Sequence, residues 1–168
     1  MVILAAVDGE DGSEVTVETG ADLARAFDEE LEVLHVMSED HYESVRGRLT
    51  SEDSVTYPIE TKGQISVSSG DGNSSGGYTI DAAANDAAAV ADQVVETALG
   101  DAPDVTVTTK GRVGEATQEI AQELERTDAR YLVIGGRKRS PVGKALFGST
   151  TQSILLNTDR PVMTCMHE

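Results

Sequence analysis

Apolar positions fall into two alternating rhythms along the chain. Met1 to Val7 is a nearly continuous apolar run that stops at Asp8-Gly9, as expected of a strand buried on both faces of a parallel sheet. Asp11 followed by Glu14 opens a helix over 13–27, where Gly20, Leu23, Ala24 and Phe27 recur at i, i+3, i+4 and i+7. Leu31 to Met37 reads as a second strand. Periodicity then fades over about 38–80, and the Ser- and Gly-rich stretch within it predicts a surface insertion, with Tyr57 to Ile59 and Gln64 to Val67 as possible short edge strands.

A helical stripe returns with Ala87, Val90, Ala91, Val94, Val95 and Ala98, closed by Gly100. Val105 to Thr109 predicts a third strand. Glu115 to Glu125 predicts a helix with Ala116, Ile120 and Leu124 inward, and Tyr131 to Ile134 a fourth strand. Ser149 with Gln152 has the spacing of a capping box before a short helix carrying Ile154 and Leu155, ended by Asn157, Arg160 and Pro161. Val162 to Met166 is the last strand. Five strands alternating with four helices predict an α/β fold, an open five-stranded parallel sheet with helices on both faces, because each crossover must return right-handed onto the sheet. With 168 residues, the chain suits a single domain over 1–168.

Composition narrows the function classes. Thirty acidic residues against 13 basic ones leave a net charge of -17, all of it carried by residues 1–100, since residues 101–168 hold nine of each sign. Such a surface repels nucleic-acid phosphates and anionic lipid. Only four lysines stand beside the 30 carboxylates, a balance expected of a salt-adapted organism, where ions screen the self-repulsion. No apolar run approaches the roughly 18 residues of a membrane-spanning helix, and the opening run lacks the basic flank of an export signal. The single Cys165 fits a reducing cytoplasm and reads as a buried small hydrophobe. His35 and His41 lack metal-ligand spacing, so His35 is expected to be a packed residue and no metal is assigned.

Against this acidic background, Arg137, Lys138, Arg139 and Lys144 cluster in a glycine-rich segment between the fourth strand and a helix. A buried strand, a glycine-rich turn and a helix start put free N–H groups and a positive dipole end at the carboxyl edge of the sheet, where open α/β sheets bind ligands. A Walker loop is excluded, because six residues separate Gly136 from Gly143 and Ala145 follows Lys144. The dinucleotide-binding G-x-G-x-x-G is absent as well.

In this segment the chain resembles the universal stress proteins. Their phosphate loop is similar to G-x2-G-x9-G-[S/T], and Gly135 and Gly148-Ser149 fit that spacing with Lys138 in the second glycine's place. The likeness extends to the strand ending in Asp8, to His35-Val36-Met37, to Gly111 through Gly114 before a helix, and to Arg160-Pro161-Val162. It implies a flavodoxin-like, Rossmann-like sheet of order 3-2-1-4-5 and a homodimer joined along the last strand, Val162 to Met166. It also implies ATP or AMP as ligand, with Mg²⁺ accompanying ATP. By position, Asp8 would meet the adenosine, the Val36 main chain the adenine, Gly114 the ribose side, and Gly135, Gly148, Ser149 and Thr150 the phosphates.

Lys138 removes the backbone pose that a glycine would give. Either Lys138 makes a direct charge contact, or Gly136 takes over the close approach, or the chain belongs with family members that bind no nucleotide. No catalytic constellation is legible, and the Ser-Gly-Gly-x-Asp-Ser loop of related adenylating pyrophosphatases is absent. The reading is a dimeric, nucleotide-responsive stress protein that binds without turning over its ligand. A nucleotide-free interaction scaffold and a weak ATPase or phosphotransferase are the alternatives.

Overall fold

The computed structural model describes residues 1–49, 77–101, 103–137 and 148–167. Its five strands are β1 (Val2–Val7), β2 (Glu30–Met37), β3 (Val107–Val113), β4 (Tyr131–Arg137) and β5 (Val162–His167). They form one sheet of order β3-β2-β1-β4-β5, with every pairing parallel. The helices are α1 (Ser13–Phe27), α2 (Glu39–Leu49), α3 (Ile80–Leu99), α4 (Ala116–Thr127) and α5 (Ser149–Asn157). Alternation along β1 sends Ile3, Ala5 and Val7 to a core shared with α1 and α3, and Leu4 to a core shared with α4 and α5. Fully burying each such aliphatic side chain contributes about 1.5–3 kcal/mol, which is how a chain with few aromatics holds its layers together.

Chain reversals depend on residues that tolerate positive φ. Asp28 after α1 and Asp128 after α4 both adopt the left-handed conformation, at φ 56° and 49°, and their N–H groups bond back to the last turn of the helix. These two turns return the chain at once to β2 and β4.

Several expectations need correction. The stretch read as an insertion contains α2, which buries none of its residues; with no apolar stripe to bury, it left no periodic signal. The helix read from Ala87 begins a full two turns earlier, where the Thr79 side chain accepts the Ala82 N–H at 3.2 Å. The third strand lies at Val107–Val113 rather than 105–109, so Gly111 and Arg112 sit in the sheet. In α1, Gly12 is the N-cap and makes no side-chain cap bond; Phe27 is 37% exposed, and the buried stripe is Val17, Gly20, Ala21 and Ala24. Tyr57 to Ile59 and Gln64 to Val67 lie outside the described residues.

Candidate functional site

In this strand order, β1 and β4 are neighbours whose following helices leave on opposite faces, so a crevice opens above their carboxyl ends. A cavity of about 400 Å³ occupies that place. Its size falls within the roughly 300–1,000 Å³ of small-molecule sites.

The β1 side is built by a tight polar turn. Asp8 Oδ1 accepts the Glu10 N–H at 3.0 Å and the Ser13 hydroxyl at 2.9 Å, while Gly9 and Gly12 take φ of 76° and 95°. Both bonds fall on one carboxylate oxygen, so Asp8 holds the start of α1 at the crevice through Oδ1.

On the β4 side, Gly135 pairs with Cys165 and Gly136 with Met166 of β5, which carries the glycines to the very end of the sheet. A Cβ on Gly135 would stand 3.1 Å from the Thr16 hydroxyl, so the bare glycine lets α1 pack over β4. That hydroxyl is buried without a hydrogen-bond partner. The Thr151 hydroxyl donates to the Gly135 carbonyl at 3.4 Å and ties the first turn of α5 to the strand.

Helix starts around the crevice differ in a way that matters for anions. At α4, the Glu115 carboxylate accepts the N–H groups of Gln118 and Thr117 at 2.9 and 3.1 Å, which hold that carboxyl below its usual range and satisfy two of the helix's free donors. At α5 the N-cap is Gly148, with no side-chain cap. The expected capping box is therefore absent: Ser149 is the first helical residue, and Gly148, Ser149 and Thr150 are exposed. The β2 and α4 wall is apolar, with Leu34, Val36 and Ile120 lining the cavity.

Of the residues singled out from sequence, Asp8, Val36, Gly135, Gly136, Gly148, Ser149 and Thr150 all line this one cavity. Gly114 does not. It sits at the turn from β3 to α4 with φ 154°, donates its N–H to the Met37 carbonyl at 2.9 Å, and has Glu119 where a Cβ would go. Lys138 lies outside the described residues. Sequence reasoning missed Glu10, Ser13, Thr16 and Thr151 as lining residues. For Ser13 and Thr151 the signal was available as hydroxyls closely following Asp8-Gly9 and Gly148.

His35 is satisfied within the sheet. Its Nδ1 lies 3.0 Å from the Val7 carbonyl oxygen, which can only accept, so Nδ1 carries the proton. Burial lowers the pKa of this ring despite that bond. Cys165 is buried, and no cluster of three metal-ligating side chains occurs among the described residues. No described helix is long and apolar enough to cross a membrane.

Comparison with known proteins agrees with this architecture. A universal stress protein from Archaeoglobus fulgidus is 25% identical, with 98% of this chain and 97% of that one covered and a TM-score of 0.55. A universal stress protein solved in complex with cAMP is 13% identical, covers 99% and 96% of the two chains, and has a TM-score of 0.54; at that distance it speaks for the fold alone. Among sequences, a universal stress protein of Mycolicibacterium smegmatis is 47% identical over 49 residues, a stretch spanning 29% of this chain and 38% of the relative. The model of the universal stress protein family matches residues 1–165, nearly the whole sheet and every element around the crevice. The chain therefore belongs to the universal stress protein family.

Proposed function

We propose that the protein binds an adenine nucleotide of the AMP or ATP type in the crevice and acts as a dimeric, stress-responsive regulator without turning its ligand over. The observation that carries this reading is the contrast between the two helix starts: the Glu115 carboxylate caps α4, whereas the N-cap of α5, Gly148, supplies no side-chain cap and lies beside Gly135, Gly136 and the hydroxyls of Ser149, Thr150 and Thr151. Uncapped amides at a helix start attract anions. In this reading the phosphates sit on Gly148, Ser149 and Thr150, and the base lies against Val36 and the apolar wall formed by Leu34 and Ile120. Asp8 Oδ2, the carboxylate oxygen not used in the turn, accepts a ribose hydroxyl. The charged side chains among the described lining residues are Asp8 and Glu10, so the ligand's charge calls on Lys138, on the other cations of the loop, or on Mg²⁺ with ATP.

The test is thermal unfolding with AMP, cAMP, and ATP with and without Mg²⁺, together with mass spectrometry of whatever the purified protein releases on denaturation. Ligand at about 100 times its Kd stabilises by roughly 2.7 kcal/mol, a rise in Tm of about 5–10 °C for a chain of this size. No shift with any of them at millimolar concentration, and no released nucleotide, would sink the reading and leave the interaction scaffold.

For the dimer, the support is a set of exposed apolar side chains on α5 and on the edge strand β5: Leu156 at 76%, Leu155 at 36% and Met163 at 40%. Met163→Asp is expected to convert a dimer to a monomer in light scattering, while a mass unchanged by the variant would place the interface elsewhere.

A further inference from the structure

A second group of titratable side chains lies on the α4 face of the sheet, outside the crevice. Glu32 of β2 and Glu123 of α4 are 5% and 1% exposed, and their carboxyls are within hydrogen-bond reach of each other. Arg112 of β3 donates Nε and Nη2 to Glu123 Oε2 at 3.3 and 2.9 Å. Arg126 of α4 donates Nε to the same oxygen at 3.1 Å and Nη2 to Oε1. Glu32 receives far less. Arg126 Nη2 stands 3.8 Å from its Oε2, and its Oε1 is buried without a partner. Lys110 of β3 also attracts this carboxylate, and more strongly than Arg126 does. On the β1 side the register neighbour is the apolar Leu4, and His35, by strand alternation, points to the opposite face.

Two carboxylates buried side by side cannot both ionise cheaply. The arginine hydrogen bonds go to Glu123, so the shared proton resides on Glu32. Burial, then the hydrogen bond and charge of Glu123, push Glu32 up to about 7. Burial would raise Glu123 too, but the hydrogen bonds from Arg126, Glu32 and Arg112 hold it at about 2. The helix that carries Glu123 also supplies Ala116 and Ile120 to the crevice, and Ile120 stands three residues before Glu123 on the same face.

We propose that Glu32 and Glu123 form a proton-operated clamp on α4: one shared proton ties the helix to β2, and loss of that proton loosens the crevice wall made by Ala116 and Ile120. The clamp requires no particular ligand in the crevice, so its fate is separate from that of nucleotide binding. Its sign follows from linkage. The native pair keeps its proton to near pH 7, whereas an unfolded glutamate releases it near 4.5, so the clamp is strongest in mildly acid solution and weakens as pH rises through neutrality. Below pH 4.5 the contribution falls again, as Glu123 must take up a proton that its arginines disfavour.

The experiment compares the protein with Glu32→Gln, which keeps a hydrogen-bond donor but cannot ionise, in about 1 M KCl to screen the general charge. From about pH 5.5 to about pH 8.5 the native chain is expected to lose several degrees of Tm more than the variant does. Over that range the amides of 120–126 should also lose about tenfold more protection, after correction for intrinsic exchange. Parallel Tm and exchange profiles in the two proteins overturn the proposal. If Glu32→Gln does not fold, the ¹³C titration of the native carboxyls decides: one glutamate with a midpoint between about pH 6 and 8 upholds the clamp, and all midpoints below about 5.5 refute it.

Discussion

Alanine at Gly111 is expected to destabilise the protein by about 3 kcal/mol or more, lowering Tm by roughly 6–12 °C. A Cβ there would stand 1.8 Å from the Ala84 carbonyl oxygen and 2.3 Å from the Ala88 nitrogen, both main-chain atoms of α3. Neither can rotate aside, so the helix must withdraw from the edge strand. Its small residues, among them Ala83, Ala84, Ala87 and Ala88, are what allow α3 to approach so closely. Gly47 in α2 is the control, because nothing lies within 4 Å of its missing Cβ and alanine there should stabilise by about 0.5–1 kcal/mol through helix propensity. Urea unfolding of both variants measures the contrast, and a Gly111→Ala cost below about 1 kcal/mol would mean that α3 does not sit on β3 at this distance.

The second large effect is on ligand rather than on stability. Ser149→Asp places a carboxylate at the uncapped start of α5, where the proposed phosphates lie. Two like charges about 4 Å apart at an effective dielectric near 20 repel by about 4 kcal/mol, so affinity for AMP or ATP should fall at least about 100-fold. The same acid in the first turn of a helix is favourable by about 0.3–1 kcal/mol, so Tm without ligand should hold or rise slightly. Calorimetry of binding and unfolding on one sample separates the two effects. A variant that binds as well as the native chain would show that the phosphates do not use α5, while lost affinity together with lost stability would point to damage at the helix start instead.

How far the chain could be read in advance varied with what each segment buries. Met1 to Val7 announces itself because both faces of an inner parallel strand are covered and no polar position blurs the run, and Leu31 to Met37 stays legible although Glu32 and His35 interrupt it. The edge strand β3 was misplaced by a few residues, since Val107–Val113 is only partly buried and carries Lys110 and Arg112 on a face that α4 incompletely covers. In α2 nothing is buried, so nothing marked it. Asp8, Gly135, Gly148 and Ser149 were legible because a glycine-rich turn between a buried strand and a helix can serve few purposes. Thr16 was not. It became a crevice residue only when α1 crossed over Gly135, a contact between positions 119 residues apart.

By itself, the sequence determined the alternation of strands and helices and the family, both of which are carried by local periodicity and short spacings. Only the tertiary structure decided which helix start carries a side-chain cap and which does not, that Gly114 does not line the cavity, and that Glu32 and Glu123 meet. These depend on side chains brought together from different elements, and their energies arise from burial and from competition for hydrogen bonds, which no run of neighbouring residues encodes.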